Sequence, residues 1–333
     1  MAAAPSIPRA PHSRRLARFA WFVVFYNVLV IVWGALVRAS GSGAGCGNHW
    51  PLCNGQVIPV SPGFHTIIEF THRMMVGGST FLVFALLVWS IRSTVKGQAA
   101  RGFAIASTLL LLNEALLGAL LVKLGYVTAN QSTGRMVLLS IHLGNTLLLM
   151  AALALTARFL STGQRWAELP FTRSAIGMVE GLATTIFVGI TGSIAALGDT
   201  LFPAASLHAS IAQDFAVHSP LLLRLRIIHP VLALIAAAFA IWLATRARRA
   251  CPCESPEIGT SPRTSNSTET GRARLARLVL ILLGLQFALG IADVLLLAPA
   301  WMQLLHLLGA DLFWIALVLL AADTLWPAVD PLA

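Results

Sequence analysis

Eight stretches of this chain, about 24–29 residues each, run with almost no charged side chains, and nothing else in the sequence restricts the fold as strongly. A bilayer core is crossed by about 20 apolar helical residues, and within it every backbone polar group must be bonded inside its own element. The stretches therefore read as membrane-spanning helices over residues 16–39, 64–91, 100–124, 134–160, 173–196, 219–247, 272–297 and 299–323. The expected class is an all-α integral membrane protein. With 57% hydrophobic and 11% charged residues, a soluble globular reading is excluded. The first run follows Arg14, Arg15 and Arg18, but it is longer than the apolar part of a signal peptide and reads as a retained helix.

The formal charge of +10 does not point to nucleic acid, because the basic residues are strung along the short connections and not gathered on one soluble face. An even number of crossings puts both termini on one side. Seventeen of the 23 Lys and Arg fall on that side: four before the first helix, three between the second and third, three between the fourth and fifth, and seven from Arg246 to Arg277. Arg38, Arg73, Lys123, Arg135, Arg224 and Arg226 lie at or within the opposite helix ends. Basic residues accumulate on the cytoplasmic face, so both termini are expected there.

Four of the nine histidines, His72, His142, His229 and His306, each lie about two turns into a span. All four spans enter from the outer side, so at ~1.5 Å per residue the histidines share a depth of ~10–14 Å. The halves also correspond. Glu114-Ala-Leu-Leu-Gly118 matches Gln286-Phe-Ala-Leu-Gly290, and Gly34-Ala-Leu-Val lies opposite Gly189-Ile-Thr-Gly. This order predicts two pseudo-symmetric four-helix bundles, residues 1–160 and 161–333. The second is interrupted by a polar cytoplasmic linker, 248–271, with too little apolar surface to bury a core.

Imidazole is neutral near pH 7, tolerates apolar surroundings and binds heme iron axially, so histidines on facing helices can clamp a heme between them. Two bundles would hold two hemes. A metal site, a proton relay and four structurally bonded histidines remain alternatives. His72 differs from the others because Glu69 and His65 precede it on nearly the same helical face. A carboxylate at this depth is costly unless paired or wetted. Glu69 reads as a proton-transfer or oxidant-handling group beside the first pair, with simple pairing to Arg73 at the helix surface as the plainer alternative. The place before His229 carries Arg226, a cation suited to a heme propionate. Asn113, Glu114, Gln286, Asp293 and Asp311 read as interhelical hydrogen-bond partners, and His49, His208 and His218 as solvated loop residues.

Two longer outer connections, 40–63 and 197–219, follow corresponding helices. Cys46 and Cys53 lie in the first, on the side where disulfides persist, and a structural or redox-active bridge is plausible there. Cys251 and Cys253 fall in the cytoplasmic linker and read as incidental, with adventitious metal binding as the alternative.

The run Gly34-Ala-Leu-Val-Arg-Ala-Ser-Gly-Ser-Gly-Ala-Gly-Cys46, then Trp50-Pro-Leu-Cys53-Asn-Gly, then Glu69-Phe-Thr-His72-Arg73, followed by His142, His229 and His306, resembles the heme A synthase family, in its cysteine-containing bacterial branch. The resemblance spans nearly the whole chain. It implies a multi-pass oxidoreductase of the bacterial plasma (inner) membrane that oxidises a methyl group of heme O to a formyl group, giving heme A for terminal oxidase. It implies His229 and His306 as axial ligands of a heme b cofactor, His72 and His142 as ligands of the substrate heme, Glu69 as the catalytic carboxylate, and Cys46 with Cys53 as an outer-loop disulfide. Arg38, Arg73 and Arg226 are candidate propionate contacts, and a heme O synthase is the expected partner. The segment Gly-Asn-His-Trp-Pro-Leu departs from the Pro-Asp-Trp-Pro of many relatives, and 197–219 lacks the second cysteine pair that some carry. Competing functions are a di-heme b-type electron-transfer cytochrome and a heme transporter or chaperone.

Overall fold

The computed structural model describes residues 13–165, 172–249 and 265–326. Among these, regular structure is helical, apart from isolated bridges of Cys53 with Gln56 and Gln98 with Arg165. The helices are α1 (Ser13–Ala39), α2 (Phe64–Ser93), α3 (Ala99–Lys123), α4 (Thr133–Thr162), α5 (Arg173–Leu201), α6 (Leu207–Phe215), α7 (Leu221–Arg226), α8 (Ile228–Arg249), α9 (Ser265–Leu295) and α10 (Ala300–Leu325). Eight segments are long and apolar enough to cross a membrane, with α7 and α8 forming one of them.

Helix boundaries follow local chemistry. Ser132, Thr172 and Ser206 each accept a hydrogen bond from a first-turn N–H, capping α4, α5 and α6. Gly163 ends α4 with φ +69, a left-handed conformation that costs glycine nothing. The sixth span, expected to be continuous over 219–247, is divided at Ile227. Pro230 explains the division: it has no N–H for the carbonyl of Arg226, and its ring crowds that carbonyl. The outer connection 197–219 holds the short helix α6. The expected linker 248–271 lies mainly outside the described residues, as do Cys251 and Cys253, but α9 already begins at Ser265.

In the first half, α1 packs against α2 and α4, and α3 against α2 and α4. In the second, α8 packs against α5 and α9, and α10 against α9, α5 and α8. The halves meet where α4 touches α5 and α10, and α1 touches α10. Half or more of the apolar windows of α4 and α10 is buried (50% and 56%), against 6% in α9, so α4 and α10 form the centre and α9 the rim. Met150, Leu153, Leu317 and Leu320 fill the seam. Exposed Phe81, Leu109, Leu234 and Ile281 on the peripheral spans fit a lipid surrounding.

Three polar contacts cross the seam. Arg38 donates to Ala196 O (2.8 Å), Thr200 Oγ1 (2.9 Å) and Gln303 Oε1 (2.8 Å). Trp314 Nε1 donates to Leu147 O at 2.7 Å. Arg158 Nε donates to Asp323 at 2.5 Å and Nη2 to Trp326 O at 2.9 Å. Arg158→Ala is expected to cost about 2 kcal/mol, less than the roughly 3–5 kcal/mol of breaking a fully buried pair, because the Asp323 side chain is 33% exposed. Thermal unfolding in detergent checks this, and Asp323→Asn should lower the midpoint less.

Candidate functional site

The four histidines stand six to nine residues from the starts of α2, α4, α7 and α10. At about 1.5 Å per residue that is about 9–14 Å from the end of the molecule bearing the Cys46–Cys53 disulfide. Each imidazole lies against a glycine of the preceding span. A Cβ on Gly34, Gly192 or Gly290 would stand 2.9, 3.0 and 3.0 Å from Cε1 of His72, His229 and His306. The fourth pair is looser, with Gly118 at 4.0 Å from His142 Nε2. The ring positions therefore depend on missing side chains on the helix opposite.

His229 and His306 face each other with ring centres 6.4 Å apart and planes at 88°. Two imidazoles bound to one ion from opposite sides, with metal–nitrogen bonds near 2.0–2.1 Å, have ring centres about 6 Å apart. The observed spacing therefore suits a single iron between them. His229 Nδ1 lies 3.0 Å from Val188 O. A carbonyl only accepts, so Nδ1 carries the hydrogen and Nε2 keeps the lone pair a metal needs. At His306, Gln286 Nε2 donates to the backbone carbonyl at 3.1 Å and lies 3.2 Å from the ring Nδ1. The donor set fits a bis-histidine heme.

The first pair has different surroundings. His72 Nδ1 is buried without a hydrogen-bond partner. His142 Nδ1 lies 3.0 Å from Glu114 Oε1, off the ring N–H direction, so the contact is electrostatic and not a hydrogen bond. Glu69, one turn before His72, is 3% exposed. Its Oε1 accepts from Arg73 Nη2 at 2.5 Å and its Oε2 from the Cys46 N–H at 2.8 Å. Glu69 thus pairs with Arg73, but in the interior and not at the helix surface. Arg73 Nη1 also holds the carbonyls of His49 (3.0 Å) and Leu52 (2.6 Å), inside the disulfide ring. His65 turns to Ser42 Oγ at 3.0 Å.

The cations named from sequence differ in their commitments. Arg226 is paired with Asp199 and Asp214 and bonds Ser210, fastening α6 over the second half. Arg73 is paired with Glu69. Arg38 bonds neutral acceptors only. The cradle glycines, Asp199 and Asp214 carried no assignment from sequence. Glu114 and Gln286 bond across helices as read from sequence, Glu114 to Asn145 and Thr146 and Gln286 to the His306 carbonyl, and each also lies against a histidine ring. The aligned Glu114…Gly118 and Gln286…Gly290 segments held that signal, since residues four apart share a helical face.

Gly192→Ala is expected to displace His229 and weaken heme retention about 10-fold or more, the usual scale for disturbing what orients a metal ligand. Gly284→Ala, where a Cβ meets nothing within 4 Å, should leave retention unchanged. Heme content per mole of purified protein measures both.

Comparison with known proteins shows the family of the chain. Residues 17–318 match the family model described as cytochrome oxidase assembly protein. Over 317 residues the chain is 39% identical to a protein of Thermus thermophilus named protoheme IX farnesyltransferase, an alignment covering 95% of this chain and 50% of that protein. It is 33% identical over 181 residues to the heme A synthase of an Exiguobacterium species, covering 54% of this chain and 57% of the relative. With the heme A synthase of Shouchella clausii it shares 39% identity over 131 residues, 39% of this chain and 41% of the relative. The chain spans about half the length of the curated relatives it matches. The family match takes in all four histidines, Glu69 and both loop cysteines, and the chain belongs to the heme A synthase family of cytochrome oxidase assembly proteins.

Proposed function

We propose that the protein is a membrane oxidoreductase that converts heme O to heme A by oxidising a methyl group of the porphyrin to a formyl group. The observation that carries this reading is the chemical inequality of the two histidine pairs. His229 and His306 are spaced for one iron, and neither has a carboxylate in ion-pair contact among the described residues. Beside His72 and His142 stand two acids, Glu69 and Glu114. A pair with no acid against its rings suits a retained heme b, and a pair with an acid against one ring and another one turn away suits a heme that is to be changed. On this reading residues 1–160 form the substrate bundle and 161–333 the cofactor bundle.

Bound heme supplies the iron chemistry that oxidation of an unactivated methyl group requires. The chain supplies ligation, orientation and a proton site. Glu69 would hold its proton at Oε2, which accepts one hydrogen bond, from the Cys46 N–H, whereas Oε1 accepts two from the Arg73 guanidinium. Arg38 is the better candidate for a propionate, because among the described residues no carboxylate stands in ion-pair contact with it. Arg73 and Arg226 would reach one only by sharing existing partners. The distribution of basic residues supports an inner-membrane protein with both termini cytoplasmic. A partner that supplies heme O is supported by the Thermus protein: a segment similar to this chain makes up half of a protein named for farnesyl transfer to protoheme IX.

Co-expression with a heme O synthase, followed by extraction and chromatography of the hemes, tests the reaction. Heme A should appear, and Glu69→Ala should lower its yield about 100-fold or more, the scale of losing a positioned acid–base group. His229→Ala should remove the retained heme b. Recovery of heme b alone from the native protein would overturn the reading in favour of an electron-transfer cytochrome. Cys46→Ala should reduce heme A formation with the fold retained, since a loop disulfide contributes only about 2–4 kcal/mol. Failure of that variant to assemble would show the bridge to be structural.

A further inference from the structure

The correspondence between the halves breaks at one position that the reaction above leaves unused. Four residues before Gly118, which faces His142, stands Glu114; four residues before Gly290, which faces His306, stands Gln286. Residues four apart share a helical face, so each side chain lies over the same histidine as its glycine. Glu114 Oε1 is 3.0 Å from His142 Nδ1, and Gln286 Nε2 is 3.2 Å from His306 Nδ1. The two side chains have the same length and shape, and each stands four residues before the glycine that faces its histidine. They differ in charge.

Glu114 is held firmly against its histidine. Its Oε2 accepts from Asn145 Nδ2 at 2.5 Å, and its Oε1 accepts from the Thr146 hydroxyl. Asn145 is itself fixed, donating to Leu110 O at 2.9 Å and accepting from Asn113 at 2.8 Å. Among the described residues no Lys or Arg pairs with Glu114, and its ion-pair neighbour is His142. Its negative charge is therefore directed at the imidazole. At the matching place in the second half, the neutral amide of Gln286 lies against the ring, with Nε2 3.2 Å from Nδ1 and 3.3 Å from Nε2; it donates to the His306 carbonyl, and its Oε1 is buried without a partner.

We propose that Glu114 and Gln286 set the two heme irons to different reduction potentials. A carboxylate against a ligating imidazole makes it the more basic ligand and favours the extra positive charge of ferric iron. The heme held through His142 then has the lower potential, and the heme held through His306, beside a neutral amide, the higher. Glu114 and Gln286 are positioning residues that act through a ligand. The inference rests on the histidine ligation proposed above, and it separates the two sites by a feature independent of Glu69.

The test is spectroelectrochemical titration of the purified full-length protein carrying protoheme in both sites. Two reductive waves are expected, the lower one missing in His142→Ala and the upper one missing in His306→Ala. Glu114→Gln, which keeps side-chain size, should move the lower wave upward and leave the upper one in place. Gln286→Glu should move the upper wave downward. A purely structural role would reduce heme content in these variants without moving either potential, and that result overturns the proposal. If Glu114→Gln loses its heme, Gln286→Glu decides alone, and an unmoved upper wave overturns the proposal. Unshifted waves with both hemes present refute the charge effect while ligation stands. Unchanged heme content in both His142→Ala and His306→Ala refutes ligation itself, and the proposal with it.

Discussion

Three of the four imidazoles, His72, His229 and His306, occupy space that exists because the neighbouring helix carries a glycine. A side chain at Gly34, Gly192 or Gly290 would bring a Cβ to 2.9–3.0 Å from a ring carbon, closer than packed atoms approach. In lipid there is no hydrophobic drive between helices, and association relies on close backbone approach at small residues and on polar contacts. The glycines that let α1 meet α2, or α9 meet α10, also place the histidines. Fold and site thus share one cause, which explains why the histidines sit at one level: each is matched to a glycine near the same end of the preceding helix.

Glu69 joins the first pair to the disulfide loop. Its carboxylate accepts the Cys46 N–H, and its partner Arg73 holds two carbonyls within the same loop. The loop is therefore bonded to α2 through an acid and a base one turn apart, immediately beside His72. A change in loop conformation would alter the bonds at both Glu69 oxygens, and a proton arriving at Glu69 would weaken the hold on the loop. The buried acid is accommodated because all its neighbours are donors, which is the condition for a carboxylate to persist at this depth.

The eight spans were legible from hydropathy because lipid enforces long apolar helices, and the ends agree closely: 64–91 against Phe64–Ser93, 100–124 against Ala99–Lys123. The shorter and more polar helices were not. The nine residues of α6 contain no long apolar run, and the first turns of α9 are Ser- and Thr-rich, so neither stood out from its connection. The four histidines and Glu69 were visible as residues in a pattern. The role of Gly192 or Gly290 was hidden, because a glycine's function here depends on the register of the helix opposite. Glu114 and Gln286 were legible as aligned positions, but the contact of each with a histidine ring depends on the register of the helix opposite, which the sequence does not carry.

The separation of the two pairs of histidines is fixed by the contacts across the seam. Arg38 to Gln303 lies near the disulfide end, Trp314 to Leu147 midway, and Arg158 to Asp323 at the far end. All three include α10. Sliding α10 by one turn, about 5.4 Å, would break every one of them and leave buried donors and acceptors unbonded. Paired buried charges contribute little net stability compared with apolar packing, because desolvation offsets their attraction. Their effect is on specificity: Met150, Leu153, Leu317 and Leu320 would pack tolerably in more than one register, whereas the three polar contacts close in one. Polar contacts that fix register at a small energetic cost therefore set where the two histidine pairs stand relative to each other, which a stronger but less discriminating apolar seam would not do.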